Sequence, residues 1–147
     1  MHSTPPRFID DYLSYLLARA SQAVYREFER QVKAAGLASL EWRVLATLSD
    51  SEGMSVGELA REVLAKQPTL TKLVQRMTEA GWVALRSDDA DARRTRVVAT
   101  RKGRDAVARL IRAARQHEAE ALASFREREV ATLKKILSAL ILRSERA

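Results

Sequence analysis

Hydrophobic spacing along this chain changes period once and then changes back. From Phe8 the apolar residues Ile9, Leu13, Leu16, Ala20, Val24, Phe28 and Val32 recur at steps of three or four, which predicts one helix ending at Gly36. Tyr12, Tyr15, Leu17 and Ala23 widen its apolar arc, so this helix needs one partner in its own subunit and another in a second. A further helix is expected after Ser39, burying Trp42, Val44, Leu45 and Leu48. In SVGELAREV, Ser55 and Glu58 match the S-x-x-E capping box, with Val56, Leu59, Ala60 and Val63 as the apolar face. Pro68 suits the first turn of the next helix, roughly 68–80, although Gln67 before it is no favoured cap. That helix buries Leu70, Leu73, Val74 and Met77 and stops at Gly81.

The strand-compatible runs Trp82–Arg86 and Thr95–Thr100 come next, flanking the polar segment SDDADARR, a composition suited to a hairpin loop. Thr100 can then cap a helix carrying Val107, Leu110, Ile111, Ala114, Ala121, Leu122 and Phe125. A last helix runs from Val130 through Leu133, Ile136, Leu137, Leu140 and Ile141. Two short helices followed by a hairpin, set between longer outer helices, make a mainly α chain with a small β-hairpin wing.

Composition removes several function classes. The 147 residues include no cysteine and only two histidines, His2 and His117, which leaves no thiol chemistry, iron–sulfur ligation or His-rich metal site. No P-loop, GxGxxG, G-x-S-x-G or HExxH is present, so no catalytic residue and no cofactor are expected. The chain has neither a signal peptide nor an apolar run long enough to span a membrane, and a cytoplasmic protein is expected. Net charge is +7, and it is unevenly placed. Lys66 to Arg104 holds ten basic and four acidic residues, a net of +6, while everything else sums to +1. A polyanion touching that quarter of the chain is the simplest physical reading.

The order of elements is that of a winged helix-turn-helix, whose second short helix enters the DNA major groove while the hairpin reaches a neighbouring groove or the backbone. In the 68–80 helix, Thr69, Thr71, Lys72, Gln75 and Arg76 lie off the apolar face and offer hydroxyl and cationic contacts to phosphates and bases. The same pattern also suits an ordinary amphipathic helix with a solvated polar side. At the hairpin tip Asp91 precedes Arg93, Arg94 and Arg96. Three arginines there suit a narrow minor groove, and Asp91 is expected to bind Arg93 and orient its guanidinium. A solvated salt bridge at a turn is the alternative. The outer helices carry more apolar surface than a thin monomer can cover, which favours a two-fold homodimer over a monomeric core.

At this level of detail the chain resembles the MarR-type (multiple-antibiotic-resistance regulator) family of bacterial transcriptional regulators. The resemblance rests on LEWRVLATL at 40–48, SVGELAREV at 55–63, QPTLTKLVQRMTEAGWV at 67–83 and DDADARRTRVVATRKGRDAV at 88–107, and it extends over residues 8–142. It implies a tail at 1–7, a single domain at 8–147 with dimerisation helices at 8–36 and 103–146, and a winged helix-turn-helix lobe at 39–102. It also implies a homodimer on a double-stranded, pseudo-palindromic operator. Recognition-helix roles pass to Thr69, Thr71, Lys72 and Arg76. The D-x-R motif of the wing passes to Asp91 and Arg93, with Arg93 the minor-groove finger and Arg94 supporting. Gln67 and Ala99-Thr100 depart from the usual small polar residue and Leu-Thr.

Members of the family commonly release DNA on binding a small phenolic or aromatic carboxylate. Here Tyr15, Arg19, Trp42 and Arg43 can supply aromatic walls and a carboxylate partner, since Arg binds carboxylates bidentately. The alternative keeps Trp42 in the core and both arginines in interhelical salt bridges. The expectation as a whole is a repressor, set against a helical protein–protein interaction module or a nonspecific nucleic-acid binder.

Overall fold

The computed structural model describes residues 4–88, 90–91 and 93–147. The start of the expected tail, residues 1–3, and Asp89 and Ala92 of the hairpin tip lie outside the described residues. Seven helices and one hairpin are described: α1 (Phe8–Asp11), α2 (Leu13–Ala34), α3 (Ser39–Leu48), α4 (Val56–Glu62), α5 (Gln67–Glu79), β1 (Val83–Ser87), β2 (Thr95–Ala99), α6 (Arg101–Ala121) and α7 (Glu127–Glu145). Two compact units are present, residues 1–113 and 114–147, divided within α6.

The first unit holds all of the buried core. Phe28 and Val32 of α2, Val44, Leu45 and Leu48 of α3, Leu59 and Ala60 of α4 and Leu70, Leu73, Val74 and Met77 of α5 meet Val83, Val97 and Val98 of the hairpin and Val107 and Leu110 of α6. These are the apolar positions of the helical and strand periods. α3, α4 and α5 bury the core of their expected apolar faces, whereas α2 buries only its C-terminal Phe28 and Val32 and leaves Leu13, Leu16 and Val24 exposed.

Local chemistry sets the boundaries. Ser55 Oγ accepts from the Glu58 amide and Glu58 Oε2 accepts from the Ser55 amide, both at 3.2 Å, closing the capping box of α4. Lys66 is the N-cap of α5, which places Gln67 and Pro68 in its first turn, where proline's missing N–H costs no helical bond. Thr100 joins three elements. Its hydroxyl donates to the Gly81 carbonyl (2.6 Å) and accepts from the Gly103 amide (3.1 Å), starting α6 where the sequence indicated. The hairpin pairs Val83 with Ala99 and Arg86 with Arg96 in antiparallel register.

Three expectations need correction. The helix beginning at Phe8 is not continuous with the one ending near Gly36. Tyr12 takes an extended conformation (ψ 118°), and its ring stacks on Phe8 with centroids 5.0 Å apart, so α1 is a separate turn closed by a bidentate Arg7–Asp10 ion pair. Trp42 is half-buried rather than core: its ring meets Phe28 edge-on at 5.3 Å. Phe125 lies beyond the end of α6 and is 56% exposed. One element had no sequence signal, a bridge pairing Met54 with Val97.

In the second unit α7 buries no residue, and Leu133, Ile136, Ile141 and Leu142 are exposed. Lys134 bridges to Glu118 at 2.8 Å. Among the described residues no helix is long and apolar enough to cross a membrane, and no group of three or more His, Asp or Glu side chains is placed to hold a metal.

Candidate nucleic-acid interface and ligand cavity

The outward face of α5 follows from its buried one. With Leu70, Leu73, Val74 and Met77 turned inward, Thr69, Lys72, Gln75 and Arg76 are exposed, and Thr69, Lys72 and Arg76 share one face at i, i+3 and i+7. Thr71 is exposed as well, but its hydroxyl donates to the Gln67 carbonyl at 2.9 Å. Its methyl group and its oxygen's acceptor capacity are what it can present outward.

Carboxylates organise the hairpin tip. Asp88 pairs with Arg96 across the hairpin at 3.4 Å. Asp91 Oδ1 accepts from the Arg93 backbone amide at 3.0 Å, while Asp91 Oδ2 lies 3.8 Å from Arg94 Nε. The expectation that Asp91 orients the Arg93 guanidinium is therefore corrected: Asp91 meets Arg93 only through its main-chain amide. The guanidinium that Asp91 meets is that of Arg94. The reason is local: Arg94 N–H donates to the Asp91 carbonyl, and this tight turn brings side chain 94 back over Asp91. Arg93 is exposed at the tip.

A cleft of about 630 Å³ lies between α4, the start of α5 and the hairpin, and Arg61, Gln67, Arg94 and Arg96 line it. It joins the start of the recognition helix to the wing. Arg61 and Gln67 were absent from the sequence-based site: Arg61 falls outside the basic window, and Gln67 reads as a helix-start residue. Lys102 falls inside the window but is engaged in the fold, donating to the Ala80 carbonyl (2.8 Å) with its ammonium 4.5 Å from the Trp82 ring centre.

The second feature is an open cavity of about 780 Å³ between α2 and α3. Tyr15, Arg19, Trp42 and Arg43, the four residues put forward from sequence, all line it. Arg19 donates to Tyr15 Oη at 2.8 Å and lies 5.6 Å from that ring's centre. Among the described residues neither Arg19 nor Arg43 forms an ion pair, so the interhelical salt bridges weighed as an alternative are not what holds them. Sequence reasoning missed Tyr25, which is hydrogen-bonded to Ser39 at 2.8 Å, and Leu64, both also lining the cavity. Leu64 carries no periodic signal because it sits in the turn between α4 and α5. The walls are aromatic and apolar with two cations beside them, a lining suited to a planar organic anion.

Comparison with known proteins agrees with this architecture. Residues 35–94 match the model of the MarR family. The chain is 30% identical over 128 residues to the HTH-type transcriptional repressor IacR of Pseudomonas putida, covering 87% of this chain and 77% of that protein. It is 37% identical over 95 residues to the transcriptional activatory protein BadR of Rhodopseudomonas palustris; this covers 63% of this chain, which spans only about half (54%) of BadR. A crystal structure of a MarR family transcriptional regulator from Silicibacter pomeroyi superposes with a TM-score of 0.83 at 34% identity, over 92% of this chain and 97% of that one.

Proposed function

We propose that this chain, which belongs to the MarR family of DNA-binding transcriptional regulators, represses transcription from a pseudo-palindromic operator and is released by a small aromatic or phenolic acid. The observation that carries the DNA reading is the cleft shared by the start of α5 and the wing, with Arg61, Arg94 and Arg96 around it. Lys72, Arg76, Arg94 and Arg96 contact phosphates and set affinity. Thr69, Thr71, Gln75 and Arg93 weigh more on sequence choice, and Asp91 holds the turn that presents Arg93.

The protein acts as a homodimer in the cytoplasm, through helices at 8–36 and 103–146. Leu13, Leu16, Leu17 and Val24 of α2, and Leu133, Ile136, Ile141 and Leu142 of α7, are apolar surface that a second copy covers. Two-fold symmetry then sets half-sites about one helical turn apart, roughly 10 bp. Tyr15, Arg19, Trp42 and Arg43 form the effector site, with an arginine as the carboxylate partner.

Fluorescence anisotropy on the DNA upstream of the protein's own gene, against a shuffled fragment, tests the reading. The expected preference is roughly a thousandfold or more at physiological salt. Affinity should fall with salt at a log–log slope of about −0.9 per phosphate contacted. Equal, weak binding to both fragments would reduce the basic surface to a nonspecific nucleic-acid module, and a flat salt plot would remove DNA altogether.

A further inference from the structure

Three helices of the first unit end in the same hydrogen-bonded motif, and one of them uses an unusual residue. At the end of α2 the Leu37 amide donates to the Val32 carbonyl and Gly36 to Lys33. At the end of α5 Trp82 donates to Met77 and Gly81 to Thr78. At the end of α4 Ala65 donates to Ala60 and Leu64 to Arg61. This motif sets the residue just past the helix in the left-handed region, where glycine adds no Cβ clash. Gly36 and Gly81 take that place at φ +82°, but at α4 it is Leu64, at φ +60°. Leu64 is the one non-glycine residue with positive φ among the described residues.

Backbone geometry gives no reason for a leucine here, and neither does core packing. Leu64 is 84% exposed, the highest value among the exposed large hydrophobic residues. What the side chain does is line the cavity that Tyr15, Trp42 and Arg43 also line. Its backbone lies in the turn of the helix-turn-helix, two residues before Lys66, the N-cap of α5. A single residue is thus a wall of the cavity and part of the segment that leads into the recognition helix.

We propose that Leu64 is the residue through which occupancy of the α2–α3 cavity reaches α5. An aromatic acid whose carboxylate meets Arg19 or Arg43 lays its ring against Trp42 and the Leu64 side chain. It stabilises a position of the turn different from the one that suits DNA. A ligand shifts a conformational equilibrium only through differential contact with its two states, and Leu64 supplies that contact. The left-handed leucine is a strained position, so the turn gives way there more readily than within the capped helices beside it. The inference rests on the effector reading of the same cavity.

The test uses the full chain, its operator, and benzoate, 4-hydroxybenzoate and phenylacetate as probes. Tryptophan fluorescence, with Trp82→Phe made in every variant so that Trp42 is the single emitter, reports binding of the acid, and anisotropy reports release of the operator. In the wild type an acid that perturbs Trp42 should weaken operator binding roughly tenfold or more, within the usual span of allosteric coupling. Leu64→Gly keeps the left-handed turn and removes the contact. It should melt no lower than the wild type, bind operator about as tightly, perturb Trp42 only at higher acid concentration because a ring contact is gone, and at saturating acid release DNA less than about twofold. Leu64→Met, which restores a long apolar side chain, should recover release. Release by Leu64→Gly equal to the wild type overturns the role of Leu64 and leaves the effector site standing. If none of the acids changes Trp42 fluorescence or operator affinity in the wild type, the effector reading falls and the coupling falls with it.

Discussion

Gly103 offers a sharp test of how the hairpin is seated on α6. It is buried in the first turn of that helix, where an ordinary solvated glycine would be improved by alanine, because alanine is the better helix former by about 1 kcal/mol. Here a Cβ would overlap the Trp82 carbonyl oxygen, lie 3.2 Å from the Trp82 carbonyl carbon and stand 3.1 Å from Leu45 Cδ2. The carbonyl has little freedom to retreat. It accepts from both the Thr100 amide and the Thr100 hydroxyl at 3.1 Å, and Leu45, the other neighbour of the added Cβ, is fully buried.

Over-packing against a fixed neighbour costs typically 1–3 kcal/mol, and the upper end applies because the obstacle is backbone. Displacing the carbonyl would sacrifice a hydrogen bond worth about 1 kcal/mol, roughly offset by the propensity gain. The expected net loss for Gly103→Ala is therefore about 3 kcal/mol. For a chain of this length that corresponds to a fall in Tm of about 6–12 °C, read by circular dichroism on heating. The sign decides the matter. An unchanged or raised Tm would mean that Trp82 and α6 do not approach as closely as described.

Other perturbations separate the cap, the wing and the cleft. Ser55→Ala removes the side-chain half of the α4 capping box and should lower stability by about 1 kcal/mol in urea denaturation; no change would show that Glu58 suffices. Arg93→Ala should weaken operator binding by roughly 1–3 kcal/mol with Tm unaltered, and wild-type affinity would make the wing tip dispensable. Arg61→Ala should reduce the salt slope by about 1, which an anisotropy series checks; an unaltered slope would place Arg61 away from phosphate. Arg7 holds the Asp10 carboxyl below its usual range through their hydrogen bonds, although burial opposes the shift. The contribution of this pair is therefore present above the ordinary aspartate pKa and lost as pH falls through the lowered one. An NMR titration of Asp10 should show a depressed midpoint that returns to normal in Arg7→Ala.

Where a local rule and a hydrophobic period agreed, the residues were readable from sequence. Ser55 and Glu58 announce α4, Pro68 and the four apolar positions after it announce α5, and Thr100 announces α6. The polar segment between two strand-like runs marked the hairpin, with β1 displaced by one residue and β2 ending one residue earlier than expected. The cavity between α2 and α3 was legible for a different reason. Tyr15 and Arg19 are one helical turn apart, Trp42 and Arg43 are adjacent near the start of α3, and the two helices set these pairs around one space.

What escaped the sequence depends on contacts that no short window contains. The Met54–Val97 bridge joins residues 43 positions apart in the chain, and Met54 lies in no periodic run. The break at Tyr12 arises where the apolar spacing continues without interruption, so periodicity could not mark it. Counting charge along the chain does not separate environments. The window includes Lys102, whose ammonium is held by Ala80 and Trp82, and leaves out Arg61, which α4 turns into the cleft beside Arg94 and Arg96. A basic window therefore says that a polyanion surface exists, whereas the helix phase of each residue decides which cations belong to it. For α4 that phase follows from burying Leu59, Ala60 and Val63, and the same three residues that build the core aim Arg61 outward.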